Sequence, residues 1–182
     1  MSNSDRKVLA EGRWLRMVVQ NGWEYTERPN VTGTVGMVPV TDDGRIVLVE
    51  QYRIPVAKQV VELPAGLVGD TAEGRDETLP QAARRELLEE TGYQASELTL
   101  LTEGASSAGM SSETVSLFLA TGLTKVGPGE GDGSEQIRVH EVPLDQAEDW
   151  LAQQIRRGAI VDLKVYLGLY FAFSRGLAAK RP

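Results

Sequence analysis

The run Arg85-Glu86-Leu87-Leu88-Glu89-Glu90-Thr91-Gly92-Tyr93 ends a helix and loads that end with carboxylates. Thr78 with Gln81 three residues on forms a capping box, and Pro80 falls in the first turn, where a missing amide hydrogen costs little. Leu79, Ala83 and Leu87 recur every four residues as a buried stripe, and Gly92 supplies a left-handed C-cap. The spacing therefore predicts a helix over 79–91. Glu86, Glu89 and Glu90 are neighbours on its last turns, where they repel one another and sit at the negative end of the helix dipole. A divalent cation converts this liability into a site, because hard oxygen ligands converging on one face suit Mg²⁺ or Mn²⁺. The plainer alternative, a solvated charged face, gives no role to Arg85 or Gly92.

Working outward, Val60-Val61-Glu62-Leu63 is a strand stopped by Pro64 and Gly66, and 67–77 is a loop rich in Gly, Asp and Glu. Upstream, Val35 to Val40 and Ile46 to Val49 are strands joined by the Asp42-Asp43-Gly44 turn. Asn21-Gly22 marks a hairpin between strands around Val18-Val19 and Trp23-Glu24-Tyr25. Downstream, strands at Leu98–Leu101 and Val115–Leu119 flank a small-residue loop, Ala105 to Glu113. A second loop, 121–136, precedes a strand at Ile137–Val142, and 144–157 and 163–177 carry helical periodicity. Strands around one central helix, closed by further helices, make a mixed α+β layered domain. There is no internal repeat and no interdomain linker.

The 182 residues, 41% hydrophobic and 25% charged, suffice for one domain with a real core. No apolar run has the length of a membrane span, the polar start Met1 to Lys7 lacks a signal-peptide core, and there is no cysteine. The expectation is a cytoplasmic enzyme. A net charge of −7 argues against nucleic-acid binding and makes capture of an anionic substrate depend on local cations.

Glu77, seven residues, then Arg85-Glu86-Leu87-Leu88-Glu89-Glu90-Thr91-Gly92 resembles the Nudix box, with Tyr93 in the place of its final aliphatic residue. The glycine that the pattern separates from Glu77 by five residues is replaced by Thr71; Gly66 has ten residues between it and Glu77, which reads as a lengthened loop. Three further segments resemble the ADP-ribose and nucleoside-diphosphate-sugar pyrophosphatases of that family. They are Glu50-Gln51-Tyr52-Arg53 leading into Glu62-Leu63-Pro64-Ala65-Gly66, the loop Ser107 to Glu113 (with Ala108 for the family's proline), and Glu135-Gln136-Ile137-Arg138-Val139. The resemblance implies an α/β/α sandwich over a mixed central sheet. Residues 1–30 would be N-terminal antiparallel strands at a homodimer interface, and 31–182 the hydrolase domain.

The reaction it implies is Mg²⁺-dependent (or Mn²⁺-dependent) hydrolysis of the pyrophosphate bond of ADP-ribose or a related nucleotide sugar, with more than one ion per site. Alternatives are another diphosphate (GDP-mannose, a dinucleoside polyphosphate, an oxidised nucleotide) or a non-catalytic binding module, against which the retained glutamates argue. Glu86 and Glu90, one turn apart, lead as metal ligands with Glu89 close by; the resemblance adds the Ala65 carbonyl and Glu135. Candidates for the general base are Glu135, Glu89 and Glu113, Glu135 leading. Arg85 orients the glutamates by ion pairing, or is an ordinary surface pair. Arg53 can hold a phosphate bidentately, or is a strand-end charge. Glu62 is a supporting acid or merely a polar residue on an exposed strand face. Trp23, Glu24 and Tyr25, with Leu67, Ser107, Gly109 and Glu113, are the remaining candidates for substrate contact. The two aromatics offer flat faces to a nucleobase, with burial in a core as the alternative. His140, the lone histidine, is read as structural.

Overall fold

The chain, seen in a computed structural model, is described over residues 5–69, 76–129 and 136–177. Three short strands open it: β1 (Lys7–Glu11), β2 (Arg16–Gln20) and β3 (Trp23–Glu27), paired antiparallel in the order β1-β2-β3. The expected Asn21-Gly22 hairpin joins β2 to β3; both residues have positive φ, 51° and 79°, as a two-residue turn matched to strand twist requires.

The body follows with β4 (Gly33–Pro39), β5 (Arg45–Arg53), β6 (Lys58–Glu62), β7 (Ala65–Val68), α1 (Leu79–Thr91), β8 (Tyr93–Ala105) and β9 (Thr114–Lys125). It closes with β10 (Arg138–Pro143), α2 (Ala147–Arg156), β11 (Ile160–Val161) and α3 (Leu163–Ser174). These strands form two four-stranded sheets, β7-β4-β9-β8 and β10-β5-β6-β11, rather than the single central sheet expected. Both are mixed: β4 runs parallel to β9 and β6 parallel to β11, while the other neighbours are antiparallel.

Alternation along the strands sends side chains to two cores. Val35, Met37, Val47, Phe118 and Ala120 pack with Ala82, Ala83 and Leu87 of α1. Val38, Ile46, Leu48, Leu117 and Leu119 pack with Leu151 of α2 and Val165, Leu169 and Ala172 of α3. Helices therefore cover both faces, as in the expected sandwich. The predicted stripe behaves as read: Ala83 and Leu87 are fully buried and Leu79 packs against the same core. Each such leucine stabilises the fold by about 1.5–3 kcal/mol through burial.

The helix bounds agree with the sequence reading, and the strands are longer than it allows. Ala65-Gly66-Leu67-Val68 is a strand where a loop is expected from 67 onward; four residues including a glycine give no legible alternation. β9 continues to Lys125, shortening the expected 121–136 loop, because its outer half pairs with β8 as far as Tyr93↔Lys125. β1 and β11 are also unanticipated; β1 is exposed along its length and β11 has two residues. Among the described residues no helix is long and apolar enough to cross a membrane.

The C-terminus of α1 is clamped. Gly92 has φ 72° and its amide donates to Leu88 O at 2.8 Å. Gly92 O accepts from the amides of Val126 (2.8 Å) and Gly127 (3.2 Å), so the chain leaving β9 folds back over the helix end. A Cβ on Gly92 would lie 2.1 Å from Gly127 O. Gly92→Ala should therefore cost at least about 1–3 kcal/mol from the left-handed backbone alone, more with the collision. A urea unfolding midpoint equal to the parent's would show that the clamp is absent.

Candidate active site

The acidic end of α1 lies against β7. Glu90 is 5% exposed, and its Oε2 accepts a hydrogen bond from the Ala65 amide at 3.1 Å. Burying a carboxylate is costly unless it is hydrogen-bonded, and the Ala65 amide at the start of β7 supplies such a bond to Glu90. Beside it, Glu86 crosses Gly66 so closely that a Cβ there would lie 1.9 Å from Glu86 Cδ. Gly66 is the residue that admits this approach. The Gly-to-Glu77 spacing departs from the usual pattern, yet the glycine occupies the place where close approach demands it.

Arg85 ties the acids together. Its Nε and Nη2 meet Glu77 at 3.1 and 3.0 Å, and its Nη1 meets Glu86 at 2.8 Å and Glu89 at 3.1 Å. Nη2 also donates to Leu67 O at 3.1 Å, pinning α1 to β7. The Glu77 carboxylate above all, then Glu86, raises the Arg85 pKa further above its already high value. Glu77 enters the sequence reading only as a motif position; its partnership with Arg85 across eight residues is visible only in the fold. Arg85 is thus no isolated surface pair: three carboxylates, Glu77, Glu86 and Glu89, meet at one guanidinium.

Leu67 enters this web through its backbone carbonyl, on a half-buried strand. Arg53 and Glu62, read separately from the sequence, are partners: Arg53 Nε donates to Glu62 Oε2 at 2.8 Å. Burial pushes the Glu62 carboxyl above its ordinary value, the Arg53 charge working against the rise and Asp162 with it. Its side chain is 14% exposed, so the exposed-face alternative fails. Trp23 is 67% exposed, so the core alternative fails for that ring. Glu24 is exposed, and Tyr25 donates from its hydroxyl to Gln20 Oε1 at 3.0 Å. Ser107 and Gly109 lie exposed on the loop between β8 and β9, and Glu113 at its end pairs with Arg28, Nε to Oε2, at 3.0 Å. Arg28 is absent from the sequence reading: nothing near it marks a partner 85 residues away. Glu135 lies outside the described residues. His140 holds Glu50 (2.8 Å) and tilts against Trp150, consistent with a structural role.

Among the described residues no group of three or more His, Cys, Asp or Glu side chains is arranged to hold a metal ion. The donor chemistry of Glu86 and Glu90, two carboxylates beside the Ala65–Gly66 backbone, is of the hard-oxygen kind that suits a divalent ion.

Comparison with known proteins places these features. The NUDIX domain profile matches residues 31–163. The chain is 36% identical over 140 residues to a methanol dehydrogenase activator of Bacillus methanolicus, covering 76% of this chain and 71% of that protein. It is 36% identical over 153 residues to an ADP-ribose pyrophosphatase of Mycobacterium tuberculosis, covering 82% and 70%. Among solved structures, that of an ADP compounds hydrolase superposes with a TM-score of 0.64 at 25% identity, over 82% of this chain and 81% of that one.

Because Glu62 is raised in the folded state, its proton favours folding. That contribution is whole below the ordinary glutamate value and is lost as pH rises through the folded pKa. Glu62→Gln, uncharged throughout, should gain stability relative to the parent between about pH 4 and about pH 7. Urea midpoints at both pH values test this; a relative gain on acidification instead would contradict it.

Proposed function

Since the chain belongs to the NUDIX family, whose fold acts as a hydrolase of phosphoanhydride bonds, we propose that it cleaves the pyrophosphate bond of ADP-ribose or a related nucleotide sugar with Mg²⁺. The products are a nucleoside monophosphate and a sugar phosphate. The observation that carries this reading is the pairing of buried Glu90, held by the Ala65 amide, with Glu86 lying over Gly66.

Bound there, Mg²⁺ or Mn²⁺ supplies charge neutralisation at the diphosphate and acidifies water. The chain's own residues do the rest. Glu86 and Glu90 would hold the ion together with the Ala65 carbonyl, and Arg85 keeps Glu86 and Glu89 in place through its bonds. Arg53, anchored by Glu62, is the candidate cation for a phosphate oxygen. A base must accept the proton of the attacking water. Glu135, six residues past the Gly129 end of the clamp, and Glu89 are the candidates. Glu113 is less suited. Val115 and Leu67 both register with Thr34 of β4, so β9 lies about 10 Å from β7 across two strand spacings.

We also assign a homodimer. Val8, Leu9, Trp14, Leu15 and Met17, from β1, the turn after it and β2, are all exposed, a density of apolar surface that favours a partner. Light scattering should return twice the chain mass; a monomer at micromolar concentration rules the assignment out.

Incubation with Mg²⁺ and a panel of ADP-ribose, GDP-mannose, dinucleoside polyphosphate and oxidised nucleotide should release nucleoside monophosphate and sugar phosphate fastest from a nucleotide sugar. Glu90→Gln should lower kcat/KM at least ~100-fold, since metal stabilisation is worth several kcal/mol, with an unchanged circular dichroism spectrum. Gly66→Ala should fall comparably by displacing Glu86. Full turnover in folded Glu90→Gln would defeat the reading.

A further inference from the structure

The loop between β8 and β9 is pinned at its base, at its turn and from outside. Ser106 N donates to Glu113 O at 3.1 Å, closing the base. The amides of Met110 and Ser111 both donate to Ser107 O at 2.9 Å, and Glu113 N donates to Ser111 Oγ at 3.1 Å. The outer tie comes from β3: Thr26 N donates to Met110 O at 2.9 Å and Ser112 N donates to Thr26 O at 3.0 Å. Thr26 and Ser111 thereby form one parallel rung at the sheet edge, reinforced by Thr26 Oγ1 donating to Met110 O at 3.2 Å. Two residues further along, Arg28 Nε reaches Glu113 Oε2 at 3.0 Å.

Core burial does not explain this attachment. Of the apolar residues in β1–β3 only Val18 is fully buried. The β3 edge and the segment after it thus act on the loop more than on the core.

We propose that Arg28 is a positioning residue. Acting through Glu113, it fixes the carboxylate that meets the sugar or nucleoside end of the substrate, remote from the scissile bond. The strand register supports the remote placement: the loop ends two strands from the β7 backbone that faces Glu86 and Glu90. A carboxylate on that loop, about two strand spacings from β7, is better placed to accept hydroxyl hydrogen bonds from the far part of an extended nucleotide sugar than to serve the attacking water. Left alone on an exposed loop, its side chain would have to be ordered on binding; the guanidinium orders it beforehand. The inference rests on the hydrolase reading above and names one of its binding determinants.

Steady-state kinetics on the full chain with Mg²⁺ and its best nucleotide sugar, for the parent, Arg28→Ala, Arg28→Lys, Glu113→Gln and the Arg28→Ala/Glu113→Gln pair, test it. Arg28→Ala should raise KM roughly tenfold with kcat nearly unchanged, the signature of lost uniform binding. Arg28→Lys should recover most of the loss. The double variant should be no worse than Glu113→Gln alone, because both changes break one link. Amide exchange should quicken in 106–113 of Arg28→Ala and stay unchanged in α1. An active parent with additive effects, or with KM untouched in Arg28→Ala, overturns the inference and leaves the hydrolase reading intact. A parent inactive on every nucleotide sugar overturns both.

Discussion

One guanidinium makes the acidic end of α1 possible. Glutamates three and four apart at a helix C-terminus are unfavourable by charge repulsion and by the helix dipole. Arg85 offsets this by binding Glu77, Glu86 and Glu89 at once and by reaching the Leu67 carbonyl on β7. The same residue therefore holds the acids and docks the helix on its sheet. Glu90 is held independently by the Ala65 amide. The outcome is that Glu86, Glu89 and Glu90 are held in place on a helix docked against its sheet.

The packing around that web serves it. α1 buries Ala82, Ala83 and Leu87 against one face of the paired sheets, which sets the depth of the helix. Gly66 and Gly92 set its close approaches, to β7 on one side and to 127–129 on the other. The N-terminal sheet adds a third constraint by holding the 106–113 loop through Thr26 and Arg28.

Local signals in the sequence were enough for α1: caps, stripe and C-terminal glycine all act within a few residues, and the helix runs Leu79–Thr91 as they predict. The hairpin at Asn21-Gly22 was legible for the same reason. Ala65–Val68 was not, because its strand identity comes from pairing with Gly33–Gly36, some thirty residues away. The outer halves of β8 and β9 were hidden likewise, since they pair mainly with each other and carry many polar side chains. In the site, the identity of the acids was readable but their partners were not. Glu77 with Arg85, Glu62 with Arg53 and Glu113 with Arg28 are tertiary pairs, and a one-dimensional pattern holds no record of them beyond the family motif.

The most direct test is Mn²⁺ binding followed by electron paramagnetic resonance on the chain with a non-hydrolysable nucleotide-sugar analogue. The account predicts loss of the free-ion signal at stoichiometric metal in the parent, and its persistence in a folded Glu86→Gln/Glu90→Gln variant. Equal binding by both proteins, or none by either, would contradict it.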